Sequence, residues 1–447
     1  MAGITGILEK GCRQMVTQML EKISYRGNYS KKVLELEDAT VGIVWSWHED
    51  EQVKRNLEKN IFIDGSGFGH CASFSKISGE WILRRDELGS APVYYAKNSE
   101  GFLCFASEIK ALLPVNLNVH ELLPGHSMHN GIIKQDYFLE QPSVMNKDPE
   151  EISSELLFYL AGAVTRRISS DSMGAWLSGG LDSSAIAALA KPWLNSFHTF
   201  SGGLKDAPDL TFAREVAKHI GSQHHEIILT ADDIFSTLPE LIYHLESFDP
   251  LLVRSSVVNF LVAKTASEFV GEVFSGEGAD EFFAGYEYLK SLPGNMLPDE
   301  LKKIAGNLHN TAFQRVDRCA SAFGTTAHIA FADPTLFEYA LKIPVHFKLH
   351  DGVEKWILRK AVKGILPDFV VNRKKSKFWQ GSGVEGIIAD YASGIISDHD
   401  FKVQRRLKNG WTLNSKEELF YYRIFTDAFG ELEDLDWMGR SQTTSNT

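Results

Sequence analysis

The sequence predicts an α/β chain: a strand-rich first part, a doubly wound parallel sheet, and a helical C-terminal part. Three observations carry this. Short apolar runs separated by Gly and Asn-Gly turns fill residues 1–140. From Pro149, runs of strand length alternate with segments of helical spacing, which is the grain of βαβ units. Residues 297–395 are mainly helical in pattern.

In the first part, strands are expected at Ala2–Leu8, Val41–Trp45, Trp81–Arg84, Val93–Ala96 and Phe102–Phe105, with turns at Glu100-Gly101 and Asn130-Gly131. Gln141–Pro149 is polar and holds two prolines, so residues 1–145 form one expected domain. Glu151–Arg167 places Ile152, Leu156, Leu157, Leu160 and Val164 on helical spacing. Strands are expected at Met173–Leu177, Phe197–Phe200, His225–Leu229 and Glu272–Phe274. Helices are expected at Ser183–Leu194, Leu210–Ile220 (capped by Gly221), Ile234–Leu245, Ser256–Phe269 and Phe282–Leu289. The second domain then spans 150–395, and 396–447 is a helical extension whose polar end frays.

Composition narrows the function. The chain has 447 residues, 44% apolar and 23% charged, enough to bury a large core. A net charge of −12 argues against nucleic acid as a main partner. Cys12, Cys71, Cys104 and Cys319 are far apart, which fits neither a disulfide scaffold nor a zinc site. No secretory pattern opens the sequence, and no apolar run approaches the roughly 18 residues that span a bilayer. The expected setting is cytoplasmic, with no membrane partner.

The sharpest local feature is Leu177-Ser178-Gly179-Gly180-Leu181-Asp182-Ser183-Ser184, between a strand and an Ala-rich helix. Gly179 and Gly180 let backbone approach a ligand, and a helix N-terminus suits phosphate. Ser178, Ser183 and Ser184 add hydroxyls. Asp182 would repel phosphate unless a cation lies between, so it points to Mg²⁺. The other reading is an ordinary strand-to-helix turn. A second motif, Ser275-Gly276-Glu277-Gly278-Ala279-Asp280-Glu281, also follows a short apolar strand. Parallel strands would bring both loops to one sheet edge, although acidic residues also suit a helix N-terminus by themselves.

Together these residues resemble the asparagine synthetase family in its PP-loop ATP-pyrophosphatase domain. Phe197–Leu204, Asp209-Leu210, His219, His224–Glu226, Tyr243–Asp249 and Arg254–Ser256 continue the likeness in order. Glu277–Tyr286, Lys355–Arg359 and Arg373-Lys374-Lys375-Ser376-Lys377-Phe378 extend it, so it covers about residues 150–390. The resemblance implies ATP on Leu177, Ser178, Gly179, Gly180, Asp182, Ser183, Ser184, Gly202, Ser275 and Gly276. It implies Mg²⁺ on Asp182 and Asp280, Lys375 on the departing phosphates and Glu277 as acid/base. Read without it, Lys375 belongs to a solvated basic patch. A carboxylate would become an acyl-adenylate, then an amide with ammonia or an amine.

Residues 1–145 resemble the family's class II glutamine amidotransferase domain, an Ntn-type αββα fold. The likeness rests on Arg85–Tyr95, Ala106–Leu112 and Leu123-Pro124-Gly125. The family's nucleophilic cysteine is replaced by Ala2, whose methyl group cannot attack an amide. The family's HRGPD reads Tyr25-Arg26-Gly27-Asn28-Tyr29, no arginine lies in Val41–Trp47, and the domain is short. A degenerate amidotransferase without glutaminase activity is therefore expected, with an ammonia-supplying partner or a homodimer as assemblies. Cys12 is a weaker candidate nucleophile. Thr326–Asp333 also departs from the family's acceptor segment, which puts aspartate in question and leaves an intramolecular, β-lactam synthetase-like amide synthesis open. A non-catalytic regulator and a tRNA-adenylating enzyme are the competing classes.

Overall fold

The computed structural model describes residues 1–441 except 68–69, 78, 117, 140–142, 376–380, 385 and 433. Gln141, Ser376, Lys377, Phe378 and the tail from residue 442 therefore lie outside the described residues.

The first part builds two antiparallel sheets. One has the order β2-β3-β1-β8-β7-β9, from β1 (Gly3–Ile7), β2 (Ser30–Glu35), β3 (Thr40–Trp45), β7 (Tyr94–Lys97), β8 (Leu103–Ala106) and β9 (His120–Glu121). The other has the order β11-β10-β6-β5-β4, from β4 (Ile61–Gly67), β5 (His70–Ile77), β6 (Glu80–Arg85), β10 (His126–His129) and β11 (Ile132–Gln135). Ile4, Val41, Ile43 and Phe105 pack against Phe62, Phe74, Trp81 and Leu83 in one buried core, so the sheets stack face to face. The helix α1 (Arg13–Lys22) buries Val16, Met19 and Leu20 with Ile7 and Val44, on the far side of β1 and β3. This layering of helix, sheet and sheet accords with the amidotransferase-like domain. Sequence reading missed α1, the helix α2 (Asp50–Leu57) and several strands, because polar residues dilute their patterns.

The third sheet is wholly parallel, in the order β14-β13-β12-β15-β16. It comprises β12 (Ser172–Trp176), β13 (Ser196–Leu204), β14 (Gln223–Leu229), β15 (Glu272–Ser275) and β16 (Thr326–Ile329). Strands run outward from β12 to β14, then the chain returns to the other side of β12. The switch point therefore lies between β12 and β15. The helices α3 (Pro149–Thr165), α4 (Leu181–Ala190) and α5 (Pro208–Ile220) pack in sequence together. A second group comprises α6 (Ala231–Leu245), α7 (Pro250–Ser267) and a later amphipathic helix, Ala312–Ser321. The doubly wound reading is right. Asp148 caps α3, accepting from Glu151 N at 2.9 Å, and Asp249 caps α7, accepting from Leu252 N at 2.9 Å.

Two local expectations are corrected. The stretch after the second loop is not one helix over Phe282–Leu289. A single turn, α8 (Ala279–Phe282), ends at Phe283, Ala284 takes a φ of +56°, and a 3₁₀ turn forms at Glu287–Ser291. Helices predominate among the described residues of 297–395, but Thr326–Ile329 becomes β16, buried on both sides and so without alternation to read, and a short hairpin forms near residue 350. Among the described residues the helices there are α9 (Leu297–Gly306), α10 (Ala312–Ser321), α11 (Pro334–Lys342), α12 (Val345–Lys348), α13 (Trp356–Ala361) and two more at Asp368–Val371 and Ile387–Ile395, with a hairpin of β17 (Leu349–His350) and β18 (Val353–Glu354) between α12 and α13.

A buried ionic network ties the antiparallel sheets to α10. Arg26 is fully buried and bonds Asp64 at 2.9 Å, Glu108 at 2.7 Å and Asp317 at 3.0 Å. Arg318 joins Glu108 at 3.0 Å and Glu246 at 2.9 Å, and Lys110 reaches Glu246 at 3.1 Å. Burial pushes the Asp64 carboxyl up to about 6 despite Arg26. Arg26→Met would strand these carboxylates in a dry interior, and is expected to cost about 3–5 kcal/mol in urea denaturation. A loss below about 1 kcal/mol would show that the network carries no stability.

Candidate functional site

The first loop leaves β12 at Leu177, whose N–H bonds Phe200 O on β13 at 2.8 Å. Gly179 takes a φ of +69°, and a Cβ there would sit 2.5 Å from Ala213 N on α5. Only glycine fits this turn against the neighbouring helix. Gly180 is the N-cap of α4, and Ser178 Oγ and Ser183 Oγ are 3.1 Å apart. Ser184 Oγ is buried without a hydrogen-bond partner among the described residues. The second loop follows β15, where Ser275 Oγ accepts from Glu277 N at 3.4 Å. A Cβ on Gly276 would lie 2.6 Å from Ser183 N. The two loops therefore touch backbone to backbone, at the switch point of the sheet.

Four charged side chains meet over these loops. Lys355 Nζ donates to Asp182 Oδ2 at 2.5 Å and lies 2.6 Å from Asp280 Oδ1. Lys375 Nζ donates to Asp280 Oδ2 at 2.7 Å and stands 4.0 Å from Asp182. Lys355 is 1% exposed, whereas the Lys375 side chain is 30% exposed at the rim. Burial and the neighbouring Asp280 charge raise Asp182, although Lys355 opposes them. In Asp280 burial is outweighed by Lys355 and Lys375, which hold it well below the usual carboxylate range. Burial likewise works against the Lys375 charge, but Asp280 and Asp182 overcome it and raise the lysine.

The broken helix after α8 now has its reason. A Cβ on Gly285 would fall 1.9 Å from Asp280 Oδ1 and 2.3 Å from Lys355 Cε. The chain turns out of helix to admit that ion pair. Lys355 itself holds a left-handed φ of +55°, and its N–H bonds Phe283 O at 3.1 Å.

The remaining acids part company. Glu277 is paired with Arg315 of α10 at 2.7 Å, and its side chain is 27% exposed. Glu281 turns inward, accepting from Tyr286 OH at 2.6 Å. Burial and Asp280 push Glu281 up to about 7. Arg373 clamps the Lys375 segment to the first loop: it bonds Asp209 at 2.5 Å and Ser178 O at 3.3 Å, and covers the Phe212 ring at 3.8 Å.

The structure thus brings Ser178, Gly179, Gly180, Asp182, Ser183, Ser275, Gly276, Asp280 and Lys375 together, with Glu277 alongside. Gly202, on β13, is packed closely, since a Cβ there would lie 2.6 Å from Val262 of α7. Sequence reasoning gave no separate role to Lys355, Arg315, Asp209 or Arg373. Lys355 opens the Lys355–Arg359 segment, which was the available signal. Asp209 and Arg373 lie in segments that resemble the family, whereas Arg315 pairs across 38 residues and carries no such signal.

The carboxylates can be weighed as a metal site. Among the described residues no group of three or more His, Cys, Asp or Glu could hold an ion. Mg²⁺ at a phosphate needs only one or two carboxylates. Asp182 Oδ1 is buried with no hydrogen-bond partner among the described residues, so the pair fits that use.

The asparagine synthase family profile matches residues 155–308 and 300–446. A glutamine amidotransferase domain profile matches residues 66–143. Asparagine synthetase B [glutamine-hydrolyzing] of Escherichia coli (strain K12) is 32% identical over 392 residues, covering 82% of this chain and 70% of that protein. A probable asparagine synthetase [glutamine-hydrolyzing] of Dictyostelium discoideum is 30% identical over 405 residues, covering 82% and 73%.

Two outcomes test the geometry. Gly276→Ala is expected to destabilise the fold by about 1–3 kcal/mol in thermal melts, because its new Cβ meets backbone that cannot yield. Glu281 bears on pH. The unfolded carboxyl ionises near 4.5 and the folded one at about 7, so stability falls as pH rises between them. Glu281→Gln should therefore gain on the parent between pH 5 and 7, by on the order of 1 kcal/mol in urea titrations.

Proposed function

The chain belongs to the asparagine synthase family, and from that premise we propose that it adenylates a small-molecule carboxylate and passes the acyl group to ammonia or an amine without hydrolysing glutamine. It is an ATP-dependent carbon–nitrogen ligase that makes amides. The observation that carries the finer reading is the cluster of Asp182, Lys355, Asp280 and Lys375 over two touching loops.

A carboxylate oxygen attacks the α-phosphorus, the bond to the bridging oxygen breaks, and pyrophosphate leaves. The nitrogen then attacks the acyl carbon, the bond to AMP breaks, and a base takes an N–H proton. The work left to the protein is placement of charge. Lys355, deep and immobile, stands where the first loop would present phosphates. Lys375, at the rim, can follow pyrophosphate as it separates. Both lysines are held in place by Asp182 and Asp280 until phosphate oxygens compete for them. Those two carboxylates would hold Mg²⁺, which when bound offsets phosphate charge. Glu277 stands on the open side as proton acceptor, oriented by Arg315.

Support for a silent glutaminase comes from the space beside Ala2. Arg26 Nε donates to Ala2 O at 3.1 Å, so its guanidinium and three carboxylates occupy the ground next to position 2. Cys12 offers no substitute, since burial and Glu9 raise its thiol above the usual range. Ammonia would come from solution or a partner. The acceptor segment supports a carboxylate other than aspartate, including an intramolecular one. His328 is buried on Glu272 at 3.0 Å, and Asp333 on Arg166 at 2.7 Å and Arg167 at 2.8 Å, so both face inward. The division into 1–145, 150–395 and 396–447 belongs to the same proposal, as does a cytoplasmic setting. No helix among the described residues is long and apolar enough to cross a membrane.

The test is ATP–pyrophosphate exchange across a carboxylate panel, with ammonia and with glutamine. Exchange with at least one carboxylate and turnover with ammonia are expected, and none with glutamine alone. Lys375→Ala should lower the rate by about 10²–10³. Glutamine-supported turnover by the purified chain would overturn the silent-glutaminase reading. Retention of biological activity by Asp182→Ala would favour a non-catalytic regulator.

A further inference from the structure

A cavity lies away from the loops. It encloses about 360 Å³ between the segment ahead of α3, α9, the end of α11 and α12. That volume is within the usual range for small-ligand sites. Its walls include Met145, Leu301, Ile343, Val345 and Phe347. Met145 N bonds Lys342 O at 3.0 Å, which fastens the segment over the end of α11. The polar lining is basic: Lys147, Lys302, His346 and Lys348, with no acid among the lining residues.

Lys348 is the anomaly. It is 3% exposed, and no described residue gives it a hydrogen bond or an ion pair. Nearby acids are engaged elsewhere. Glu155 and Glu151 hold Lys147 at 2.6 and 3.1 Å, Glu354 holds Arg359 at 2.5 Å and Lys290 at 3.2 Å, and Glu150 holds Lys360 at 2.7 Å. Glu300 of α9 accepts from Tyr288 at 2.8 Å. Burial alone brings the Lys348 amine down to about 7. A buried lysine with no counter-charge is costly, and lining an apolar cavity it lacks only an anion.

We propose that this cavity binds a small amphipathic monocarboxylate, its head on Lys348 Nζ and its apolar body against Leu301, Ile343 and Val345. A single buried cation matches one negative charge, whereas a dianion would leave charge uncompensated. None of the lining residues belongs to the loops or the Asp–Lys cluster, so the inference stands independently of the reaction proposed above. The β17–β18 hairpin joins Lys348 directly to Lys355, which places the occupant one hairpin from the cleft.

Octanoate is the probe, titrated by calorimetry into the full chain. Saturable binding is expected. Above pH 7 the amine must regain its proton to pair with the carboxylate, so affinity should fall about tenfold per pH unit. At pH 8, buffers of different ionisation heat should reveal uptake of close to one proton. Lys348→Met should weaken binding at least about tenfold and abolish that uptake. Leu301→Trp, which fills the cavity from α9 and keeps the lysine, should weaken binding too. Melting curves show whether each variant is folded, and the second stands if the first is not. Equal binding by folded Lys348→Met, absence of proton uptake, or no saturation by about 10 mM octanoate in the parent would overturn the proposal.

Discussion

Arg26 has no exposed surface, yet it carries a full charge among Asp64, Glu108 and Asp317. Charges this deep are tolerated only when every partner stays in place. Three cations, Arg26, Lys110 and Arg318, face four carboxylates, Asp64, Glu108, Glu246 and Asp317. Burial pushes Asp64 up to about 6, so its charge weakens as the solution becomes mildly acidic. The network gathers groups from β4, the residues after β8, the end of α6, and α10. The antiparallel sheets and the parallel sheet are thereby held as one packed body, with a hydrophobic core running from Ile7 to Met438.

The same helix, α10, reaches the cleft. Asp317 and Arg318 anchor it in the network, and Arg315 projects to Glu277. A guanidinium fixed at one end by buried charge can hold a carboxylate steady at the other. The first part of the chain thus contributes to the cleft through rigidity, even with alanine where the family has its nucleophile.

At the cleft the design is close approach. Gly179 lets the first loop lie on α5, Gly276 lets the second loop lie on the first, and Gly285 lets Asp280 and Lys355 meet. These contacts explain why a helix expected at Phe282–Leu289 stops after one turn. The local pattern favours helix, but an ion pair between residues 75 positions apart occupies the space its Cβ row would need.

Legibility followed the range of the interaction. The sequence by itself determined the alternation of strands and helices, the two glycine-bearing loops and the carboxylates on them, since these rest on periodicity and local turn chemistry. Its turn chemistry marked Asp182, and the family resemblance added Asp280, Lys375 and the alanine at position 2. Tertiary structure alone decided that Lys355 joins the cluster, that Glu277 answers to Arg315 and Glu281 to Tyr286, and that Thr326–Ile329 closes the sheet. It alone showed Gly202 packed against Val262, and Lys348 as a buried amine without a partner among the described residues. Each of these depends on which distant segments touch and on how much water they exclude, and neither quantity is written in the order of neighbouring residues.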